Sequence, residues 1–154
     1  MLDFRSYLER MGVRFMWSQH DTAYTAQDLA HEEHISGERV VKPVLVQADG
    51  QFVLCALPAS YYVDLEQLCD ELRANNAQLA DEHTLQQMFP ECELGAEPPI
   101  GRLFGIPTII DDSLIDELEV TFQAGTHQDA VTMSAADYIK LTQPMIGHFA
   151  RHKH

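Results

Sequence analysis

Two β-rich runs joined by a tight turn set the strongest constraint on this fold. The runs RVVKPVLVQA and QFVLCALP are separated only by Asp49-Gly50, and this dipeptide between apolar runs is a strong signal of a β-hairpin. A hairpin pairs its strands antiparallel, whereas a doubly wound parallel sheet connects its strands by crossover helices. We therefore expect at least part of the sheet to be antiparallel.

Helical segments are predicted on both sides of this hairpin. Apolar residues at helical spacing predict a helix near the start, and Thr25, Asp64 and Ser134 have the character of N-caps. Further short strands are predicted in PTIID, ELEVTFQAG and DAVTM. Because strands and helices alternate unevenly, the pattern favours the α+β class, with a mixed central β-sheet surrounded by helices.

Length and composition favour a single globular domain. The 154 residues are 45% hydrophobic, which is enough for one core. We place this domain at residues 1–145 and expect a mobile tail at 146–154, which has no packing pattern. No apolar run approaches the roughly 20 residues that cross a bilayer, and the start is too polar for a signal peptide. We therefore expect a cytoplasmic protein that does not bind membranes.

The net charge of −14 argues against broad binding to a nucleic-acid backbone. The chain has ten Lys and Arg against 24 Asp and Glu, so DNA is not an expected partner. Charges are screened over about 8 Å at physiological salt, and a few cations in one cleft can still hold a phosphate. Any nucleic acid should therefore be bound at a small, local site.

No strong metal or cofactor motif is present in the sequence. Cys55, Cys69 and Cys92 are far apart and form no CxxC pair, which disfavours a disulfide framework or a zinc ribbon. His31 and His34 lie three apart in a predicted helix, but without an HExxH pattern or a third ligand. The nucleotide-binding pattern GxxxxGK[ST] is also missing. We expect neither a metal nor a cofactor.

The segment GAEPPIGRLFGIP, residues 95–107, is the first candidate for a functional site, and we call it the Gly/Pro loop. It has three glycines and three prolines in thirteen positions, which restrict φ at some positions and free it at others. The loop should therefore have a preset shape. One interpretation is a structural connector between a helix and a strand. The other is a loop whose N–H groups cradle a carbonyl or phosphate oxygen.

Lys42 and His127 are the other two candidates. Lys42 lies in an apolar run and shares a strand face with Val44 and Val46, where a charge is costly unless it is paired or opens into a cleft. The alternative is an edge-strand lysine that discourages aggregation, which Pro43 would suit. His127 lies in GTHQDAV, between two strand signals, where a solvated turn histidine is the simpler interpretation.

The order of these features resembles the YbaK-like, prolyl-tRNA-synthetase-associated family of aminoacyl-tRNA editing domains. The resemblance covers about residues 20–141 and is carried by HDTAYTAQDLA, VVKPVLVQADGQFVLCALPAS, FPECELGAEPPIGRLFGIPTIIDDSL and AGTHQDAVTMSAADYIKL. It implies a mixed sheet that is partly closed into a barrel, with helices around it. It also implies a stand-alone aminoacyl-tRNA deacylase, which removes a small amino acid wrongly esterified to tRNAPro or a related tRNA.

The resemblance further implies which residues form the site. Lys42 corresponds to the central functional lysine of the family and His127 to the histidine of a late Gly-Thr-His turn, so both receive catalytic roles. A loop of the Gly-x-x-x-Pro type lines the amino-acid pocket in the family. The implied substrate-binding residues are Tyr24, Gly95, Ala96, Glu97, Pro98, Pro99, Gly101, Gly125 and Thr126.

These assignments lead to a hypothetical mechanism. Water, or a ribose hydroxyl of the tRNA assisting it, would attack the ester while N–H groups of residues 95–101 stabilise the oxyanion. Lys42 would hold the terminal phosphate or a ribose oxygen, and His127 would orient the amino acid or the water. The implied partners are the aminoacyl-tRNA acceptor end and, in addition, an aminoacyl-tRNA synthetase.

Two departures from the family pattern bear on substrate choice. Pro43 follows the lysine, where a small polar or aliphatic residue is expected, and Glu97 stands where the loop is expected to be apolar. The Glu97 carboxylate would either favour the α-ammonium of the substrate or point to solvent. The alternative functions are a non-catalytic module of the same fold, which binds an aminoacyl end or a synthetase, and a hydrolase of small free esters.

Overall fold

Five α-helices and ten β-strands make up the fold within residues 3–23, 25–33 and 35–152, which the computed structural model describes. The helices are Phe4–Arg10 (α1), Ala26–Glu32 (α2), Leu65–Leu72 (α3), Glu82–Met88 (α4) and Ala135–Thr142 (α5). The strands are Met16–Gln19 (β1), Val41–Ala48 (β2), Gln51–Pro58 (β3), Tyr61–Val63 (β4), Ala77–Leu79 (β5), Thr108–Asp111 (β6), Glu119–Gln123 (β7), Asp129–Ser134 (β8), Met145–Gly147 (β9) and Ala150–His152 (β10). Short 3₁₀ helices lie at Gly101–Phe104 and Asp112–Leu114.

The central sheet is mixed and has the strand order β5-β2-β3-β6-β9. The predicted hairpin is confirmed, because β2 and β3 pair antiparallel from Val41 opposite Pro58 to Ala48 opposite Gln51. Strand β6 pairs in parallel with β3, and β9 pairs in parallel with β6. A second sheet has the order β1-β8-β7, and a bridge from Val40 to its strand β7 connects the two sheets. The predicted α+β fold, with a partly barrel-like sheet surrounded by helices, is confirmed.

The three predicted N-caps begin helices as expected. The Thr25 hydroxyl accepts the Asp28 N–H at 3.0 Å, and the Asp64 carboxylate and the Ser134 hydroxyl make the same bond at the starts of α3 and α5. Each cap satisfies an N–H group that has no partner within its helix. Within the described ranges, no helix combines the length and the apolar character that crossing a bilayer requires.

Both faces of the central sheet are buried. Ala56 of β3 packs in one apolar cluster with Tyr138 of α5, whereas the adjacent Cys55 packs in a second cluster with Leu68 of α3. Neighbouring strand residues point to opposite faces, so helices cover the sheet on both sides. This explains why β3 has a continuous apolar run rather than an alternating pattern.

The expectation of a mobile tail from Ile146 onward is wrong for residues 146–152. Strand β9 pairs with β6, β10 pairs with β4, and Phe149 between them is fully buried. The buried Asp111 carboxylate accepts the N–H groups of Phe149 at 3.0 Å and Ala150 at 2.9 Å. Strands of three residues are too short to show alternation, so the sequence pattern does not reveal them. The folded unit therefore includes this segment.

Replacing Asp111 should test this anchor. In Asp111→Ala, the buried N–H groups of Phe149 and Ala150 lose their acceptor, and we expect the free energy of unfolding to fall by about 2–4 kcal/mol. Urea denaturation followed by circular dichroism measures this change. Asp116→Ala removes an exposed carboxylate from the same region and should change stability by less than about 0.5 kcal/mol. Equal stabilities of the two variants would contradict the anchoring role.

Candidate functional site

A largely apolar cavity of about 300 Å³ lies beside the first half of β2. Strand β5 pairs with β2 only over residues 46–48, so the ladder to β5 does not extend over residues 41–45. The cavity lies beside this segment, and its walls come from α2, β2, β3, β5, α4, β7 and the Gly/Pro loop. The site is therefore bounded by elements that are distant in the sequence.

Lys42, Gly95 and Glu97 are the predicted site residues that line this cavity. They come from β2 and the Gly/Pro loop, so the fold brings the two main sequence candidates to one place. Tyr24 lies outside the described residues, as does His34 of the histidine pair. The other predicted residues are described but do not line the cavity: Ala96, Pro98, Pro99, Gly101, Gly125, Thr126 and His127.

The Lys42 side chain is half-buried and directed by the backbone that follows β3. Its Nζ donates to the Ala59 carbonyl at 3.2 Å, and Ala59 is itself tied to Val40, whose carbonyl accepts the Ala59 N–H at 2.8 Å. The sequence left two interpretations of Lys42 open, a lysine that opens into a cleft and a lysine of an edge strand, and both describe its position. Lys42 belongs to a segment that β5 does not cover, and its side chain also lines a cavity.

The Gly/Pro loop is fixed to three neighbouring elements. The Tyr138 hydroxyl of α5 donates to the Pro99 carbonyl at 2.6 Å, and the Gly101 N–H donates to the Thr108 hydroxyl at 2.8 Å. The Gly125 N–H, from the turn after β7, donates to the Ala96 carbonyl at 2.8 Å. Tyr138, Thr108 and Gly125, which make these bonds, are not among the residues that line the cavity. Through these bonds Ala96, Pro99, Gly101 and Gly125 help to fix the loop. Contact of these residues with the substrate stays a prediction.

Gly101 should be sensitive even to alanine. A Cβ atom there would lie 2.5 Å from the Ile106 carbonyl oxygen and 2.6 Å from the Thr108 hydroxyl, so the loop would have to shift. We expect Gly101→Ala to lower the free energy of unfolding by about 1–3 kcal/mol in urea denaturation. Gly37→Ala is the matched control, because its Cβ would meet Ser60 at an ordinary 3.4 Å. Equal losses in both variants would contradict the close packing of the loop.

Amide groups of the Gly/Pro loop are already bonded inside the protein. The Gly95 N–H donates to Oε1 of Glu97 at 3.1 Å, so a carboxylate holds a donor at the cavity wall. We expected these N–H groups to be free to bind an ester carbonyl, whereas the structure shows the Gly95 N–H bonded to Glu97. Other amides pair within the loop or with its neighbours, Ala96 with the Glu93 carbonyl, Ile100 with the Pro98 carbonyl and Gly101 with the Thr108 hydroxyl.

The Glu97 carboxyl is buried in the cavity wall. Only 3% of the residue is exposed, so the side chain does not point to solvent, one of the two outcomes left open by the sequence. Burial raises the pKa of this carboxyl, and the backbone N–H groups of Glu97 and Gly95 and the nearby His127 act in the opposite direction. The loop thus places a titratable acid in a mostly apolar cavity.

Replacing Glu97 by glutamine should stabilise the protein at neutral pH. Because burial raises the folded-state pKa above 4.5, the folded protein holds this proton more tightly than the unfolded chain. Ionisation therefore reduces stability above the folded-state pKa, and the loss disappears as the pH falls below 4.5. Glutamine stays neutral and keeps an acceptor for the Gly95 N–H.

Urea denaturation over a series of pH values measures this effect. The difference in stability between Glu97→Gln and the wild type should be largest at neutral pH and shrink on acidification. Glu91→Gln removes an exposed carboxyl six positions earlier and serves as the control. A Glu97→Gln difference that does not change with pH would contradict the raised pKa.

His127 is buried and links two backbone segments. Its Nδ1 lies 3.1 Å from the Ala23 carbonyl, its Nε2 lies 2.8 Å from the Leu94 carbonyl, and its N–H donates to the Glu93 carboxylate. A general base must reach the proton that it abstracts, and here both ring nitrogens lie against backbone oxygens. The geometry favours a positioning role, in which the imidazole holds the start of the Gly/Pro loop to the segment before α2.

Sequence reasoning missed Gln123, a further polar residue of the cavity. It ends β7, is buried, lines the cavity and donates through Nε2 to the Ala23 carbonyl. A polar side chain at the end of the buried run EVTFQAG was the available signal. The apolar wall formed by Leu85 and Phe89 was also missed, because the periodicity of α4 shows an apolar face but not what that face covers.

One group of ligand-type side chains lies elsewhere. Among the described residues, Asp111, Asp112 and His148 have donor atoms within 4.8 Å of one another. The Asp111 carboxylate already accepts backbone N–H groups of the C-terminal segment, and the imidazole of His148 is bonded to Asp112 at 3.1 Å. These contacts account for the cluster as part of the fold.

Solved structures share this architecture. The hypothetical protein APE2540 superposes with a TM-score of 0.87 at 14% identity, over 96% of this chain and 98% of its own. A candidate trans-editing enzyme for prolyl-tRNA synthetase superposes with a TM-score of 0.82 at 17% identity, over 96% of this chain and 94% of its own. At these identities the similarity is one of fold.

Sequence similarity extends to curated proteins. The multifunctional Ser/Thr-tRNA deacylase ProXp-y of Escherichia coli, from strain K12 and from O157:H7, is 30% identical over 102 residues. The aligned region is 66% of this chain and 60% of the relative, so the match spans about three fifths of the relatives' length. Residues 20–141, the stretch identified from the sequence motifs, match the aminoacyl-tRNA editing domain, and the chain belongs to that family.

Proposed function

We propose that this chain is an aminoacyl-tRNA deacylase, which hydrolyses the ester between a wrongly attached amino acid and its tRNA. The proposal rests on one observation: Lys42 of β2 and two residues of the Gly/Pro loop, Gly95 and Glu97, line the same cavity. Membership of the editing-domain family supports it. Identity of 30% to a Ser/Thr-tRNA deacylase supports it further.

The dimensions of the cavity favour a small amino acid. Its volume of about 300 Å³ lies at the lower end of the range for small-molecule sites. The walls are apolar except at a few positions, which include Lys42, Glu97 and Gln123. One methylene group changes discrimination by only about 1–3 kcal/mol. We therefore propose a set of small substrates, alanine, cysteine, serine and threonine, on tRNAPro or a related tRNA.

Lys42 is proposed to position the nucleotide end of the substrate. The Ala59 carbonyl holds its ammonium beside the cavity, and an ammonium is a compact charge suited to a phosphate or ribose oxygen. An ester held in a reactive orientation reacts faster, because the entropy of orienting it is already lost on binding. His127 contributes indirectly, through the Leu94 carbonyl at the start of the Gly/Pro loop.

The proposed reaction is a hydrolysis without a covalent enzyme intermediate. The oxygen of water, with or without help from a ribose hydroxyl of the tRNA, bonds to the ester carbon. The bond from that carbon to the ribose oxygen breaks, and a proton from the water ends on the ribose oxygen. The products are a free amino acid and a tRNA with a free terminal hydroxyl.

The acceptor end is the part of the tRNA that we propose is bound. With a net charge of −14, the protein as a whole repels the phosphate backbone, so attraction has to come from the few groups at the cavity. A synthetase partner would supply further affinity by presenting the charged tRNA.

A binding module of the same fold is the second candidate. It is favoured by the Gly/Pro loop amides, because the Gly95 N–H is bonded to the Glu97 carboxylate. An oxyanion developing at this position would lie beside another negative charge, which opposes its formation. In this case the protein would bind an aminoacyl end without hydrolysing it.

Replacing Lys42 tests the proposed enzyme. With tRNAPro charged with labelled alanine, cysteine, serine or threonine, Lys42→Ala should slow ester loss at least about 100-fold, because the ester is no longer fixed. Lys42→Arg keeps the charge but changes its shape, so we expect a smaller loss. The rate is measured as labelled amino acid that remains attached to tRNA over time.

Lys140→Ala is the matched control for this experiment, since it removes an exposed lysine on α5. Thermal unfolding of each variant shows whether the fold is kept. Undiminished deacylation by a folded Lys42→Ala protein would contradict the role of Lys42. Binding of charged tRNA by the wild type without any ester loss would identify the binding module instead.

A further inference from the structure

We infer that the Glu97 carboxylate recognises the α-ammonium group of the substrate, so that the cavity selects esters of free amino acids over esters of uncharged acids. The inference rests on the proposed function for the identity of the ester. Recognition of the ammonium group is a property of the cavity, and it can be tested without hydrolysis.

The geometry of the Gly/Pro loop presents this carboxylate to the cavity. Glu97 lines the cavity and is 3% exposed, and the Gly95 N–H donates to its Oε1 at 3.1 Å. A carboxylate has about four lone-pair directions, so the N–H groups of Gly95 and of Glu97 itself fix the group and leave room for donors from a ligand. An ammonium group brings three such donors.

Charge balance points to the same ligand. A carboxylate in an apolar wall is unfavourable unless a cation or several donors compensate it. Among the described residues, Glu97 makes no salt bridge, since the pairs within 4.0 Å join other side chains. A cationic group that enters the cavity would therefore gain a partner that is already fixed and shielded from water. The α-ammonium is the cationic group of an aminoacyl ester.

Two other roles for Glu97 have different consequences. If the carboxylate only braces Gly95, its replacement should affect every ester to the same degree. If it acts as a general base toward water, its replacement should also slow every ester, because each hydrolysis needs the same proton removed. Dependence on the ammonium group of the substrate separates recognition from both.

The experiment compares two esters that differ only in this group. Alanyl-tRNA has an α-ammonium, and lactyl-tRNA has a hydroxyl in its place. The wild type should hydrolyse alanyl-tRNA with a kcat/KM about 10- to 100-fold higher than that for lactyl-tRNA, since a hydrogen-bonded charge is lost. Glu97→Gln should remove this preference by slowing alanyl-tRNA alone, and Glu91→Gln, the exposed control, should keep it.

Equal rates for the two esters in the wild type would overturn the inference, as would a Glu97→Gln protein that slows both by the same factor. The first outcome needs no variant, so the test does not depend on the folding of Glu97→Gln. A wild type that hydrolyses neither ester would contradict the proposed function but not this inference.

A binding measurement then decides the inference. Adenosine with alanine or lactic acid attached through an amide at its ribose resists hydrolysis, and calorimetry gives the affinity of each compound. Tighter binding of the alanine compound that disappears in Glu97→Gln supports the inference. Equal affinities for the wild type overturn it.

Discussion

The fixed position of the Gly/Pro loop is the constraint on which the candidate site depends. Gly101 lies so close to the Ile106 carbonyl that a Cβ atom would be 2.5 Å from it, and the Tyr138 hydroxyl holds the Pro99 carbonyl from α5. The Gly125 N–H donates to the Ala96 carbonyl on the other side of the two prolines, whose φ angles are restricted by their rings. The backbone of Glu97 has therefore little freedom, and its carboxylate stays in the cavity wall. Loop packing thus keeps a carboxylate in the cavity wall, and Lys42 of β2 adds a positive group to the same cavity.

The sequence predicted the parts of this molecule that depend on local signals. The Asp49-Gly50 turn fixes the hairpin, and the caps at Thr25, Asp64 and Ser134 fix helix starts, because each is a contact between residues a few positions apart. Strands β4, β5, β9 and β10 were not predicted, since three residues are too few for alternation to appear. Their pairing depends on partners far along the chain.

The candidate site was predictable only in part, for the same reason. Composition and strand pattern identified Lys42 and the Gly/Pro loop as candidates, the family resemblance gave them roles, and the structure shows that residues of both line one cavity. The orientation of Glu97 depends on where that loop lies relative to β2, which no local pattern encodes. The contacts of His127 with Ala23 and Leu94 join residues about a hundred and about thirty positions apart. The sequence of the turn around His127 could therefore not predict that its imidazole joins these two backbone segments.

A carboxylate in this cavity also bears on the release of product. On the proposed reaction, the substrate enters as an ester with one positive group, the α-ammonium. Hydrolysis turns the ester into a carboxylate, so the product places a second negative charge close to Glu97. Two like charges in a site of low dielectric repel strongly. With Lys42 proposed to bind the nucleotide end, the single α-ammonium would face both carboxylates. The Glu97 carboxylate, which we infer selects the substrate, would therefore also weaken the binding of the free amino acid. The other product, a tRNA with a free terminal hydroxyl, has no α-ammonium for Glu97 to bind.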